Sequence, residues 1–459
     1  MKQQCRLVIA GTHSGAGKTT IATALMAAFR RRGLAVQGFK TGPDFIDPSF
    51  HHAATGRSGR NLDGWMLSRE TNLAIFHGAA RDADVAVVEG AMGLFDGQSA
   101  ISTIGSTAEM AKWLDAPVVL IADGSAMAGS AAALVQGFER FDSELTMAGV
   151  IFNRVAGAGH YAYLRDAVAV HCRAKALGYL PRNPAIEIPE RHLGLTLAEE
   201  ALTEERLQAM ANWIEQHLDL DQLLELGASV AIAASPVPLA APRHCDARRP
   251  RIGIARDRAF CFYYRDNLDL LESLGAELVE FSPVAAGHLP AGLAGLYLGG
   301  GYPELHAAAL TANESLRAEI AGFAKAGGPV YAECGGLMYL CEGIVDHSGW
   351  SHPMVGLFPT WARMQSRLAA LGYVEIEAAS TSVWPPAGAR ARGHQFRYSN
   401  IDEMPACIDR TYRVFLEGGE TREGYQVAST VASYIHLHFL SCPQFAAGFV
   451  AACAEYSSI

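Results

Sequence analysis

Short apolar runs recur along the first half of the chain, at "CRLVIA", "DVAVVEG", "APVVLIAD", "AGVIFN" and "ALGYLP". Helix-length stretches separate them, such as "GKTTIATALMAAFRRRG", whose apolar positions are spaced to bury one face. Apolar strands alternating with helices predict an α/β fold with a parallel sheet covered on both sides. The rhythm runs to about residue 225. Proline, alanine and other small residues then take over in "GASVAIAASPVPLAAPRHCDARRP", which predicts a linker over 226–249. A second alternation through "RIGIARD", "LESLGAELVEFSP", "LAGLYLGGGYPE" and "GGPVYAECGG" predicts another α/β domain over 250–459.

Composition narrows the class. A chain of 459 residues is too long for one ordinary core, and two large domains fit it. Hydrophobic residues make up 50% and charged residues 18%, yet no run approaches the roughly 18 uninterrupted apolar residues of a membrane helix. The start, "MKQQCRLVIAGTHSGAGKTT", leads straight into a glycine loop without the pattern of a secretory signal, so a soluble cytoplasmic protein with no membrane partner is expected. Nine cysteines without a C-x-x-C pair do not resemble a disulfide framework or a zinc site. A formal charge of −10 argues against a nucleic-acid partner.

The first candidate chemistry is phosphate binding. Gly11-Thr12-His13-Ser14-Gly15-Ala16-Gly17-Lys18-Thr19 follows a strand and opens a helix, the setting a P-loop requires. Its amides can hold phosphates, Lys18 can reach the terminal oxygens, and the Thr19 hydroxyl can bind Mg2+. The ATP site is therefore expected at Gly11, Thr12, Gly15, Gly17, Lys18, Thr19 and Thr20. Mg2+ also needs hard carboxylate oxygens. Glu89 ends the strand "VAVVEG", while Asp44 and Asp47 lie in the turn-rich "KTGPDFIDPSFH". Thr19, Asp44 and Glu89 are the expected ligands, with Asp47 a weaker candidate beside them. Asn153 ends the strand in "GVIFNRV" and suits adenine, although a turn or cap role fits it equally.

The second chemistry is nucleophilic. Cys334 follows the strand "PVYAE" and precedes Gly335 and Gly336, as in an elbow where small neighbours hold a side chain on a sharp turn. A helix start behind it would favour a thiolate. The amide of Gly335, with those of Gly300 and Gly301 in "YLGGGYPE", could form an oxyanion hole. The base is open among His436 and His438, which alternate on a predicted strand in "ASYIHLHFL", and His394 in "RGHQFRYS". A free buried cysteine is the alternative for Cys334.

Together "GTHSGAGKTT", "TGPDFIDPSFH", "VVEGAMGLFDG", "YLGGGYPE", "ECGGLMYL", "RGHQFRYS" and "SYIHLHF" resemble the cobyrinic acid a,c-diamide synthase family across nearly the whole chain. The resemblance implies an N-terminal ATPase domain of the dethiobiotin synthetase type, which shares the longer glycine loop. It also implies a C-terminal, flavodoxin-like class I glutamine amidotransferase domain. Cys334 would be the glutaminase nucleophile and His436 its base. Many class I amidotransferases carry a glutamate two residues after this histidine; His438 stands there, so a dyad is expected. Gln395 and Arg397 also replace the glutamate and histidine expected in "GHQFRYS". Phe45, Asp47, Tyr263 and Tyr264 fall in segments that the family places near the tetrapyrrole, with ordinary packing as the alternative.

The implied reaction uses ATP and L-glutamine to amidate the a and c acetate carboxylates of a corrinoid through acyl phosphates, with ammonia passing from one domain to the other. Hydrogenobyrinic acid and nickel sirohydrochlorin are rival substrates, and the side chains amidated by cobyric acid synthase are a more distant one. A P-loop switch protein with an inactive second module is the rival that is not an enzyme.

Overall fold

The computed structural model describes residues 4–188, 190–191, 194–195, 198–229, 249–379, 382–384, 386–416 and 419–457. The chain divides into two compact units, Met1–Pro238 and Leu239–Ile459. Most of the expected linker, residues 230–248, lies outside the described residues. Among the described residues, no helix is long and apolar enough to cross a membrane.

In the first unit, seven strands run parallel: β1 (Gln4–Gly11), β2 (Val36–Thr41), β3 (Arg60–Leu62), β4 (Val85–Glu89), β5 (Val118–Asp123), β6 (Met147–Asn153) and β7 (Lys175–Leu180), in the order 3-2-4-1-5-6-7. Strand β1 lies between β4 and β5, so the chain leaving it enters the crevice at the carboxyl ends of the strands, where open α/β sheets collect ligands. It leaves into helix α1 (Lys18–Arg31). Ile21, Leu25, Ala28 and Phe29 repeat at helical spacing and are fully buried against Leu7 and Ile9 of β1 and Val87 of β4. Arg30 and Arg31 close the helix on the favourable side of its dipole. Helix α2 (Asp47–Thr55) follows β2.

The second unit is built on a ten-stranded sheet. Its parallel half comprises β8 (Arg251–Ala255), β9 (Glu277–Phe281), β10 (Gly295–Leu298), β11 (Val330–Glu333) and, far along the chain, Thr430–Ser433. The rest is an antiparallel extension of Ala370–Ala378, Arg390–Arg397, Asp409–Leu416, Gly419–Val427 and the two-residue His436–Leu437. A further four-stranded sheet contains Cys341–Val345 and Phe358–Met364. The apolar runs announce the parallel half; the antiparallel half has no such signal, because its strands keep one face in solvent.

Candidate active sites

Gly11 ends β1, the loop turns through Gly15 (φ 81°) and Gly17 (φ 100°), and α1 starts at Lys18. Gly17 needs its left-handed backbone, and any side chain there would strike the amide of Asn153. Asn153 uses both ends of that amide locally: Nδ2 donates to Ala16 O (2.9 Å) and Oδ1 accepts from Arg154 N (2.9 Å). It braces the loop. Thr12 pairs with His13 Nδ1 at 2.9 Å, and Thr20 lies in the first turn of the helix. The Lys18 ammonium donates to the carbonyls of Met92 (2.6 Å) and His13 (3.2 Å), curled over the loop it would serve. Burial, reinforced by Lys40, lowers its pKa.

Beneath the loop is a buried charge cluster. Thr19 Oγ1 donates to Glu89 Oε1 at 2.6 Å and reaches Asp47 Oδ2 at 3.4 Å. Lys40, at the end of β2, lies 2.5 Å from Asp47 Oδ2 and 2.9 Å from Glu89 Oε1. His51 Nε2, from α2, is 2.8 Å from Glu89 Oε2. Two carboxylates thus share one ammonium. Burial opposes ionisation of Glu89, but Lys40 and His51 outweigh it and hold its carboxyl well below the usual range. Burial and the nearby carboxylates of Asp44 and Glu89 push Asp47 up. Lys40 is held protonated, since its acidic neighbours outweigh burial.

Thr19 and Glu89 therefore meet as the sequence predicts, but the carboxylate beside them is Asp47 rather than Asp44. Asp44 Oδ1 accepts from the amides of Ile46 (2.8 Å) and Asp47 (2.9 Å) and so braces the turn that leads into α2. Phe45, between them, is half-buried. Lys40 and His51 were missed: each looks ordinary in its own segment, and only the packing of β2 and α2 against β4 brings them to Glu89. A Mg2+ ion fits this cluster, because Asp47 Oδ1 is buried without a hydrogen-bond partner among the described residues, beside a hydroxyl and a second carboxylate. Among the described residues no three His, Cys, Asp or Glu side chains could hold a metal on their own, so such an ion would share its shell with nucleotide phosphates.

In the second unit Cys334 sits at φ 50°, ψ −103°, a conformation rarely adopted by a residue with a side chain. It joins β11 to a short helix, Gly335–Leu340, whose single turn and a half makes backbone geometry, rather than a helix dipole, the main device. The Gly301 amide nitrogen lies 3.2 Å from where a Gly335 side chain would begin, so the elbow and the glycine loop are in close contact. Gly301 (φ 152°) is forced by the chain itself, as a Cβ would collide with the carbonyl of Ala259. Gly300 accepts from the amides of Cys261 and Phe262, each at 3.0 Å, and its α-carbon faces the His436 ring so closely that a methyl would strike it.

His436 is the histidine at Cys334. Burial opposes its charge, but the Cys334 sulfur and Glu333 outweigh that and raise its pKa to about 9. His394, its cross-strand partner, stacks on it with ring centroids 5.0 Å apart. His438, expected on the same strand face, instead follows a strand of only two residues and packs on Tyr264 at 4.6 Å. Burial drives His394 well below the histidine range and His438 to about 3, so both are neutral core residues. Tyr263 and Tyr264, expected at a tetrapyrrole wall, both have partners within the second unit. Tyr263 supports the glycine loop, accepting from Gly299 N at 2.8 Å and donating to Ala255 O. Tyr264 is 1% exposed, with its hydroxyl 2.9 Å from His394 Nδ1. Gln395 and Arg397 lie on the same strand as His394, with the Arg397 guanidinium over the Tyr434 ring at 4.4 Å.

A P-loop with a buried acidic cluster in one unit, and a cysteine elbow facing a glycine loop and a histidine in the other, define a nucleotide-dependent glutamine amidotransferase. Residues 7–195 match the CobQ/CobB/MinD/ParA nucleotide binding domain, and residues 251–444 match the CobB/CobQ-like glutamine amidotransferase domain. The chain belongs to the cobyrinate a,c-diamide synthase family. It is 46% identical over 453 residues to the cobyrinate a,c-diamide synthase of Syntrophotalea carbinolica, covering 98% of both chains. The enzyme of that name from Leptospira interrogans is 42% identical with 98% of both chains covered, and that from Salmonella typhimurium 41% with 97%. Among solved structures, PurLQS from Thermotoga maritima aligns with 46% of this chain and 99% of its own, at 17% identity and a TM-score of 0.35.

Proposed function

We propose that this protein amidates the a and c acetate carboxylates of cobyrinic acid in the cytoplasm, using ATP and glutamine, as the names of its relatives say of them. The observation that carries the reading is identity to those synthases along nearly the entire chain. At Cys334 the thiol proton passes to His436 and the sulfur attacks the glutamine amide carbon. The amides of Gly335, Gly300 and Gly301 face the oxyanion. Collapse breaks the C–N bond, and ammonia leaves with the proton from His436. Water, giving a proton back to His436, then cleaves the thioester to glutamate and restores Cys334.

In the first unit the P-loop amides and Lys18 hold ATP, while a corrin carboxylate oxygen attacks the γ-phosphorus and ADP leaves. The acyl phosphate is then displaced by ammonia at its carbonyl carbon, releasing phosphate and a proton and leaving the amide. Two rounds give the diamide. Thr19, Asp47 and Glu89, with Asp44 nearby, would hold Mg2+, which when bound offsets the negative charge on the phosphates.

Cobyrinic acid, metal-free hydrogenobyrinic acid and nickel sirohydrochlorin, each with Mg-ATP and glutamine, test the substrate, with products read by mass spectrometry. Two amidations on cobyrinic acid are expected; reaction with nickel sirohydrochlorin alone would overturn the assignment. Cys334→Ser should abolish synthesis from glutamine, a fall of about 10⁴-fold, and keep synthesis from ammonia. Normal use of glutamine by that variant would remove Cys334 as the nucleophile.

A further inference from the structure

Glu333, one residue before the nucleophile, ends β11 and is 1% exposed. Burying a carboxylate costs several kcal/mol unless donors and a counter-charge compensate. Three donors come from three parts of the sheet. Tyr297 on β10 donates its hydroxyl to Oε2 at 3.0 Å, Tyr331 on β11 donates to Oε1 at 2.7 Å, and the Leu437 amide donates to Oε1 at 3.0 Å. The last of these fixes the backbone immediately after His436. The counter-charge is His436 itself, whose Nδ1 lies 3.8 Å from Oε2, the one ion-pair partner of Glu333 among the described residues. Tyr297 and Tyr331 remain neutral at any working pH, since burial and the Glu333 charge push both phenols far up.

We propose that Glu333 is the third member of the Cys334–His436 site, a positioning carboxylate that orients the imidazole through Nδ1 and stabilises its protonated form. It supplies the carboxylate that is absent two residues after the histidine, where this chain has His438. With Nδ1 turned to the carboxylate, Nε2 is left for the cysteine sulfur, and the imidazolium formed when Cys334 gives up its proton has its counter-ion in place. The 3.8 Å separation is an ion-pair distance, and contacts of this kind shorten when substrate closes a site. The titratable groups facing the pair are Cys334, Tyr297, Tyr331, Tyr263 and Tyr412, with His394 stacked on the far side of the ring.

The proposal rests on the reading of Cys334 and His436 as nucleophile and base, and the test separates the two. In the full-length protein, Glu333→Gln keeps the shape and removes the charge. Its glutamine kcat should fall at least about 100-fold with KM within about threefold. The alkaline limb of the glutaminase pH profile, set by loss of the His436 proton near pH 9, should move down by about one pH unit. Synthesis from ammonia should be unchanged. A folded Glu333→Gln with kcat within threefold of wild type and an unmoved alkaline limb overturns the proposal, provided Cys334→Ser is inactive with glutamine. If Cys334→Ser is active, the nucleophile itself is wrong and the proposal falls with it. Should Glu333→Gln fail to fold, Glu333→Asp keeps the charge and draws it away from His436 Nδ1 by one methylene. A several-fold loss of kcat with the same downward displacement supports the proposal, and an unmoved limb overturns it.

Discussion

The two sites are made of different materials. The nucleotide site is built from polar and charged side chains held by close partners: Lys18 by backbone carbonyls, Thr19 by Glu89, and Lys40 by Asp47 and Glu89. An incoming polyanion and its cation can exchange into every one of those partnerships, and Asp47 Oδ1 already awaits one. The cysteine site is built from backbone, with Cys334 and Gly301 held in conformations that surrounding atoms impose. A site that receives a large, lasting charge can rearrange around it. A site for a transient oxyanion must have its dipoles aimed beforehand.

The sharpest way to break that comparison is Glu89→Gln, which removes the carboxylate shared by Thr19, Lys40 and His51. Diamide synthesis should fall on the order of 10³-fold with glutamine and with ammonia alike, while hydrolysis of glutamine to glutamate continues. Ammonia-dependent synthesis at the wild-type rate would remove the charge cluster from the reaction. Gly301→Ala should do the reverse: the new methyl meets the Ala259 carbonyl and φ 152° disfavours any side chain. Glutamine use should drop about 100-fold and synthesis from ammonia should persist, with an unfolding free energy lower by roughly 1–3 kcal/mol in denaturant titration. Unchanged glutaminase activity would mean that the loop relaxes without loss and that the site is not preformed.

What could be read from the sequence follows the same division. The P-loop and the elbow are local devices, in which a strand, a turn rich in glycine and a helix start are adjacent in the chain, so quoting the segment nearly describes the geometry. The charge cluster is assembled from α1, β2, α2 and β4, and nothing local separates Lys40 or His51 from any lysine at a strand end or histidine in a helix. Asp44 and Asp47 are ranked only by the start of α2 at Asp47, which leaves Asp44 in the preceding turn with Oδ1 on the Ile46 and Asp47 amides. Glu333 did leave a signal. "VAVVEG" and "VYAECGG" are both apolar strands ending in glutamate, and the pattern that singles out Glu89 applies equally to Glu333.

The smallest expected effect concerns His438, which the structure uses as packing. Among the described residues neither of its ring nitrogens has a hydrogen-bond partner, and burial against Tyr264 lowers its pKa to about 3. A depressed pKa contributes stability that is present above the unfolded value of about 6.5 and is lost as pH falls toward 3. Between pH 7 and 5 that loss is about 2 kcal/mol in the second unit, and His394 adds to it in the same direction. His436 acts oppositely: its raised pKa contributes below about 6.5 and is lost as pH climbs through about 9. His438→Leu should therefore raise stability at pH 7 by about 1 kcal/mol, because two unpartnered buried nitrogens disappear. It should also reduce the fall between pH 7 and 5 without removing it, and leave the alkaline fall intact. Melting curves at pH 5, 7 and 9 read all three. An acid fall as steep as in wild type would show that His438 is not buried in its neutral form.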